Sequence, residues 1–150
     1  MPSRRGWKWD GANSRLDVDV DGTTVARFDD GTGDIEIVSG TINVADGGTV
    51  TQDTNKSTAV TLNTHSGQIT MNGAALGDDA IVSFQVNNSN VAATDVVIVN
   101  HSSGGTIGSY VVQAHTPASG SFKIGVKNVS GGSLSEALVI SFAVIKGASS

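Results

Sequence analysis

The apolar run at residues 137–145, A-L-V-I-S-F-A-V-I, constrains the fold more than any other segment of the chain. Its β-branched residues and polar boundaries are typical of a β-strand, in which successive side chains point to opposite faces. The two faces it predicts are Leu138, Ile140, Phe142 and Val144, and Val139, Ser141, Ala143 and Ile145. The first face belongs in a core. The second is too apolar to lie in water, so a second layer, the N-terminal segment or another subunit must cover it.

Six further segments predict strands, at residues 58–63, 67–71, 80–87, 95–100, 109–116 and 121–128. Turn-forming Asn, Gly and Ser residues separate them, and no segment has a helical period. Together with the last strand they predict an all-β fold, an antiparallel β-sandwich of immunoglobulin-like or jelly-roll kind over residues 51–150. Residues 96–99 are apolar on both faces, so we expect that strand at the centre beside the last one.

Residues 10–50 form a different segment, with short alternating strands joined by Asp-Gly turns. Asp21-Gly22 lies between two such strands, which is the strongest short signal for a hairpin. Further strands are predicted at residues 34–38 and 41–44. Because short hairpins are marginally stable alone, these need a larger body or a threefold stack of identical hairpins to lie against.

The first nine residues are basic and contain both tryptophans of the protein, and we interpret them as an arm without a strand partner. The charges are segregated, since this arm holds no acid and residues 10–53 are strongly acidic, within a net charge of −5. One interpretation is that the indoles cap the chain's own β-layer. The other is a docking arm that anchors on a partner protein through Arg4, Arg5, Trp7, Lys8 and Trp9.

Asp17, Asp19 and Asp21, followed by Gly22, match the opening of an EF-hand calcium loop. The twelfth position is Phe28 where a glutamate is required, and the flanking segments predict strands. We therefore favour an outward-facing row of acids on a hairpin. Calcium held between neighbouring chains by this row is the alternative.

No motif of the chain indicates catalysis. The three histidines are dispersed, and we find neither a nucleophile elbow nor a phosphate-binding loop, so we expect no enzymatic activity and no cofactor. The absence of cysteine excludes disulfides and thiolate metal sites. The acidic segment beside the only basic cluster argues against nucleic acid. Without an apolar window or leader we expect no membrane span and no export.

Three segments resemble a β-rich module of structural proteins from tailed bacteriophages and prophages. They are residues 67–73 (G-Q-I-T-M-N-G), 92–101 (A-A-T-D-V-V-I-V-N-H) and 130–146 (S-G-G-S-L-S-E-A-L-V-I-S-F-A-V-I-K), within a similarity that runs from residue 48 to residue 145. Such modules lie at the outer ends of fibre-like or capsid-associated proteins and are commonly trimers. The resemblance therefore implies a building block of a virion.

The resemblance and the chain's short length lead us to expect a capsid decoration (cement) protein of the virion, made in the bacterial host cytoplasm. It would bind the major capsid protein through its N-terminal part and form a homotrimer through Val139, Ala143 and Ile145. The alternative is a fibre tip that binds a receptor or a host surface glycan, which an apolar groove lined by Tyr110 would favour. A cellular adhesion module is disfavoured by the missing export signal.

Overall fold

The computed structural model describes residues 5–21, 23–29, 34–39 and 47–147, with the backbone alone at Arg5. The chain divides into two compact units, Met1–Asn43 and Val44–Ser150. Every regular element is a β-strand, as predicted, and no helix in the described ranges is long and apolar enough to cross a membrane. Residues 47–50, which the sequence groups with the hairpins, lie within the second unit.

The first unit contains a four-stranded antiparallel sheet, here called the first sheet, whose strands follow the chain order. Its strands are β1 (Arg5–Asp10), β2 (Arg15–Val20), β3 (Thr23–Asp29) and β4 (Ile35–Ile37). Asp21, between β2 and β3, has a φ of 51°, as hairpin turns of type I′ require. The predicted hairpin is confirmed. The strand predicted at residues 41–44 lies outside the described residues.

The prediction that the first nine residues lack a strand partner is wrong for residues 5–9. β1 pairs with β2 along its whole length, from Arg5 opposite Val20 to Asp10 opposite Arg15. The turn that joins them spans residues 11–14, and the Asp10 carboxylate closes it by accepting hydrogen bonds from the Ala12 amide at 3.2 Å and from Asn13 Nδ2 at 2.8 Å. In the next hairpin, Asp21-Gly22 forms the two-residue turn itself. Here Asp10-Gly11 stands at the start of a four-residue turn, which is a weaker hairpin signal.

The second unit is a β-sandwich of two four-stranded sheets. Its strands are β5 (Thr49–Thr51), β6 (Val60–Thr61), β7 (Ser66–Thr70), β8 (Ile81–Asn87), β9 (Val96–Ser103), β10 (Tyr110–Ala118), β11 (Ser121–Asn128) and β12 (Val139–Ile145). The β11 sheet has the order β10-β11-β8-β6, and the β12 sheet has the order β5-β7-β12-β9. All seven predicted strands are present. The short β5 was missed, and it pairs with β7 in parallel, as β6 does with β8.

The core lies between the two sheets, and the inner face of β12 contributes to it as predicted. Leu138 and Ile140 are fully buried, and Phe142 and Val144 are nearly so. The rings of Phe142 and Phe122, from opposite sheets, have centroids 5.4 Å apart. The predicted central position of residues 96–99 is wrong, because β9 is an edge strand that pairs with β12 alone.

Asp95 ties the turn before β9 to the residues that follow β12. Its carboxylate accepts hydrogen bonds from Lys146 Nζ, from the Ala92 amide at 2.8 Å and from the Gly147 amide at 3.0 Å. The hydrogen bond from Lys146 is the largest cause that lowers the pKa of Asp95 to about 2. The carboxylate is therefore held in its charged form by groups from two chain segments that meet at one end of the β9–β12 pair.

The Asp95 interaction predicts a specific loss of stability in acid. A carboxyl whose pKa is lowered by folding stabilises the protein above the unfolded-state pKa of about 4, and that stabilisation is lost as the pH falls toward 2. We expect the Tm of wild-type protein to decline across this window. The Asp95→Asn variant should have a lower Tm at neutral pH and a shallower decline in acid, and an equally steep decline in the variant would contradict this assignment.

Candidate partner-binding interface

The first sheet has one face on which two neighbouring rows of side chains are apolar. Directly opposed residues of neighbouring strands share a face, and the register places eight such residues in two rows across all four strands. The rows are Trp7, Val18, Ala26 and Ile37, and Trp9, Leu16, Phe28 and Ile35. The rings of Trp7 and Phe28 have centroids 6.2 Å apart, which fits this shared face. We call it the apolar face of the first sheet.

This apolar face is exposed to a degree that is rare in monomeric proteins. Trp7 is 69% exposed, Trp9 58% and Ile35 66%. Large contiguous apolar patches mark interaction surfaces, and a tryptophan contributes roughly 150–250 Å² of contact area when it is buried. Within the described part of the first unit, the face therefore has the composition of an interface core and is open to solvent.

The opposite face of the first sheet is charged, and its central row alternates in sign. Lys8, Asp17, Arg27 and Glu36 lie in this row across the four strands. Asp17 Oδ1 lies 2.9 Å from Arg15 Nε and 3.6 Å from Arg27 Nε, and Arg27 Nη1 lies 3.1 Å from Glu36 Oε2. Opposite charges on directly paired strands stabilise a sheet. Both arginines of this face therefore find their partners within the sheet.

The side chains of the predicted acidic row, Asp17, Asp19 and Asp21, lie in three different environments. Asp17 is only 4% exposed and is shared by Arg15 and Arg27, so the expectation of an outward-facing row is wrong at this position. Asp19 accepts a hydrogen bond from Thr24 Oγ1 at 2.8 Å, and Asp21 lies in the turn. Among the residues that the structure describes, no group of three or more metal-ligating side chains is arranged to hold an ion.

The residues predicted to anchor the chain do not share one surface. Trp7 and Trp9 lie on the apolar face, whereas Lys8 lies on the charged face opposite Asp17, because neighbours on a strand alternate. Arg4 lies outside the described residues, and only the backbone of Arg5 is described. Sequence reasoning missed Phe28, Ile35 and Ile37 as members of the surface. Their alternation with polar residues was the available signal.

The second unit exposes a smaller apolar area on the outer face of the β12 sheet. Ile98 pairs with Ala143 and Val96 pairs with Ile145, and Val96, Ile98 and Ile145 are each more than half exposed. We call these four residues the β9–β12 patch. It contains two of the three predicted interface residues. The third, Val139, lies on the same face but is separated from the patch by Ser141, which accepts a hydrogen bond from Gln68 Nε2 at 3.3 Å.

A groove of about 570 Å³ lies beside the loop that joins β9 to β10, lined by residues 101–105, 107, 108 and 110. Ile107 is 94% exposed, whereas Tyr110 is mostly buried. The Tyr110 hydroxyl donates to Glu136 Oε2 at 2.8 Å, and burial is the main cause that raises the pKa of Tyr110 to about 12. Glu136 also accepts a hydrogen bond from the Thr106 amide at 3.0 Å, which lowers the pKa of this carboxyl.

No known protein family, curated protein or solved structure matches the chain.

Proposed function

We propose that this chain is a structural protein of a tailed bacteriophage that decorates the outside of the capsid as a homotrimer and stabilises the shell. The observation that carries the proposal is the uncovered apolar face of the first sheet. A chain with two compact units, one of which presents such a face, is suited to attach a folded body to a larger protein surface.

The apolar face of the first sheet is the proposed contact with the major capsid protein. Tryptophan is among the residues that contribute most to binding energy when they are buried at the centre of an interface. The charged face would remain in water, since its ions are paired within the sheet. Binding that requires the assembled shell stabilises that shell over its separated subunits by mass action.

The β9–β12 patch is the proposed contact between the copies of the trimer. The patch lies on the outer face of the β12 sheet and includes its edge strand β9. Another copy can therefore contact it without disturbing the sandwich core. The polar row that contains Ser141 and Gln68 borders it, as a polar rim borders the apolar centre of many interfaces.

A single substitution in the patch tests this contact. Ile98→Glu places a charge at a position that is 53% exposed in one chain, so the fold should be retained while self-association is lost. Light scattering should report a mass near the 15.2 kDa of one chain. The matched control is Gln68→Glu, which adds the same charge to the exposed polar part of this face. A trimer that survives Ile98→Glu would exclude the patch as the interface.

The proposed function itself is tested with capsids of the phage whose genome encodes the chain. Purified chain is mixed with capsids that lack it and sedimented, and the bound amount is measured against free concentration. We expect saturable binding at a fixed number of trimers per shell and a raised temperature of capsid disruption. Absence of binding to these capsids would overturn the proposal.

The second candidate is a glycan-binding fibre tip, and the groove beside Tyr110 favours it. Its volume of about 570 Å³ lies in the range of small-ligand sites. The buried ring and committed hydroxyl of Tyr110 leave Ile107 as the most exposed apolar side chain of the groove, which is a poor platform for stacking a sugar. This candidate would be favoured if the wild-type chain bound host cells but not capsids, and if the Ile107→Asp variant lost the binding to cells.

A further inference from the structure

The outer face of the β11 sheet contains a trough of about 490 Å³ that the proposed decoration function does not use. The trough exists because the central strand β11 has a glycine there. Gly125 lies between Gln113 on β10 and Ser83 on β8, and its missing side chain leaves a floor at backbone level. The walls are therefore side chains of β8 and β10.

The polar wall of the trough is held in a fixed geometry. Ser83 Oγ lies 3.0 Å from His115 Nε2, and the other ring nitrogen, Nδ1, lies 2.9 Å from Thr116 Oγ1. Thr116 has a φ of 52° where the register of β10 and β11 shifts, and a β-branched residue in this region is strained. Such strain is concentrated at functional sites, and here it orients the imidazole across the sheet.

Lysines outnumber acids around the trough. Lys123 and Lys127 lie two positions on either side of Gly125, so alternation places both on its face of β11. Lys127 forms an ion pair with Asp79, whose side chain is 79% exposed, so the three charges sum to one positive charge. The strands β8, β10 and β11 contain no aspartate or glutamate. The trough therefore favours a ligand that carries a negative charge.

Two exposed apolar side chains complete the lining. Ile81 is 70% exposed and Val111 is 52% exposed, and they lie on either side of Lys127. An extended hydrophobic ligand would leave Gln113 and the remaining hydrogen-bonding capacity of the Ser83 hydroxyl unused, and an inorganic anion would leave Ile81 and Val111 uncovered. A ligand with hydroxyl groups, a carbon face and an anionic group satisfies all of these side chains.

We infer that this trough binds a carboxylate-bearing sugar of the uronic acid class. Ring hydroxyls would exchange hydrogen bonds with Gln113 and with the Ser83 hydroxyl that His115 holds in place, the C–H face would pack on Ile81 and Val111, and the carboxylate would lie near Lys127. This site is independent of the capsid contact, and neither proposal requires the other.

The inference is tested by NMR titration of the ¹⁵N-labelled full chain with a trisaccharide of galacturonic acid. A neutral galactose trisaccharide is the control for charge. We expect amide shift changes confined to the residues that line the trough, with affinity for the acidic sugar at least about tenfold higher. Absence of shifts, shifts elsewhere, or equal affinity for both sugars would overturn the inference.

Gly125→Val tests the location of the site by placing a side chain on its floor. A Cβ at this position would lie 3.6 Å from His115 Cδ2 and Nε2, which is ordinary contact, and valine favours strands. We expect acidic-sugar affinity to fall at least about tenfold with the Tm retained. The control is Gly6→Val in β1, where a Cβ would meet nothing within 4 Å, and which should bind normally.

A second variant keeps the test decisive if Gly125→Val does not fold. Lys127→Gln removes the positive charge and keeps the length of a polar side chain at a partly exposed position. We expect it to weaken binding of the acidic trisaccharide and to leave binding of the neutral one unchanged. Unchanged affinity for the acidic sugar in either folded variant would contradict the inference.

Discussion

Replacing Phe142 with alanine is expected to lower the free energy of unfolding by about 3–5 kcal/mol. The side chain is 4% exposed and its ring packs against Phe122 of the opposite sheet at 5.4 Å between centroids. Truncation removes the buried ring and leaves a cavity between two sheets that are held by their own hydrogen-bonded strands, so collapse around the site is limited. Urea unfolding monitored by circular dichroism measures the change.

The matched control for this substitution is Ile107→Ala. Ile107 is also a large apolar residue of the second unit, but it is 94% exposed. Its truncation should change the free energy of unfolding by less than about 0.5 kcal/mol. Near-wild-type stability of Phe142→Ala would show that the two sheets do not pack through this residue.

Replacing both Trp7 and Trp9 with serine is expected to weaken capsid binding by at least about a hundredfold, since the loss of one central tryptophan costs about 2 kcal/mol or more. Both indoles lie on the apolar face of the first sheet and are more than half exposed. Serine keeps the β1 backbone and its pairing with β2. Deletion of residues 1–9 would instead remove most of the strand. Co-sedimentation with capsids gives the change in affinity.

The control for the tryptophan variant is Lys8→Ser, which lies between the two indoles in sequence but on the charged face. An exposed ion contributes at most about 1 kcal/mol, so binding should change only slightly. Equal losses in both variants would indicate that β1 as a whole had been disrupted. Normal binding by the double variant would exclude the apolar face as the anchor.

The strands of the second unit could be predicted because their alternation and turn residues are local signals. The inner face of β12 followed directly from a period of two. The hairpin of β1 and β2 was missed because its turn at residues 11–14 lacks a central Asp-Gly pair, and β5 was missed because three residues are too few for a pattern. The edge position of β9 depends on strand order, which composition does not determine.

The candidate surfaces were less predictable because they depend on strand register. The two tryptophans stand out in the sequence as rare residues. The pairing of four strands is needed to show that they share a face with Phe28, Ile35 and Ile37, and that Lys8 lies on the other face. The trough likewise requires Gly125 to lie opposite Ser83 and Gln113. A shift of one residue in the register of either sheet would remove the surface that lies on that sheet.

The homotrimer that we propose requires other copies of this chain to cover the apolar area on the outer face of the β12 sheet, and the solution mass of the purified full chain tests this most directly. Multi-angle light scattering should give three times the 15.2 kDa of one chain, and the mass should fall in the Ile98→Glu variant. A wild-type mass of one chain at all concentrations tested would contradict the account, since the β9–β12 patch would then be stable in water without a partner.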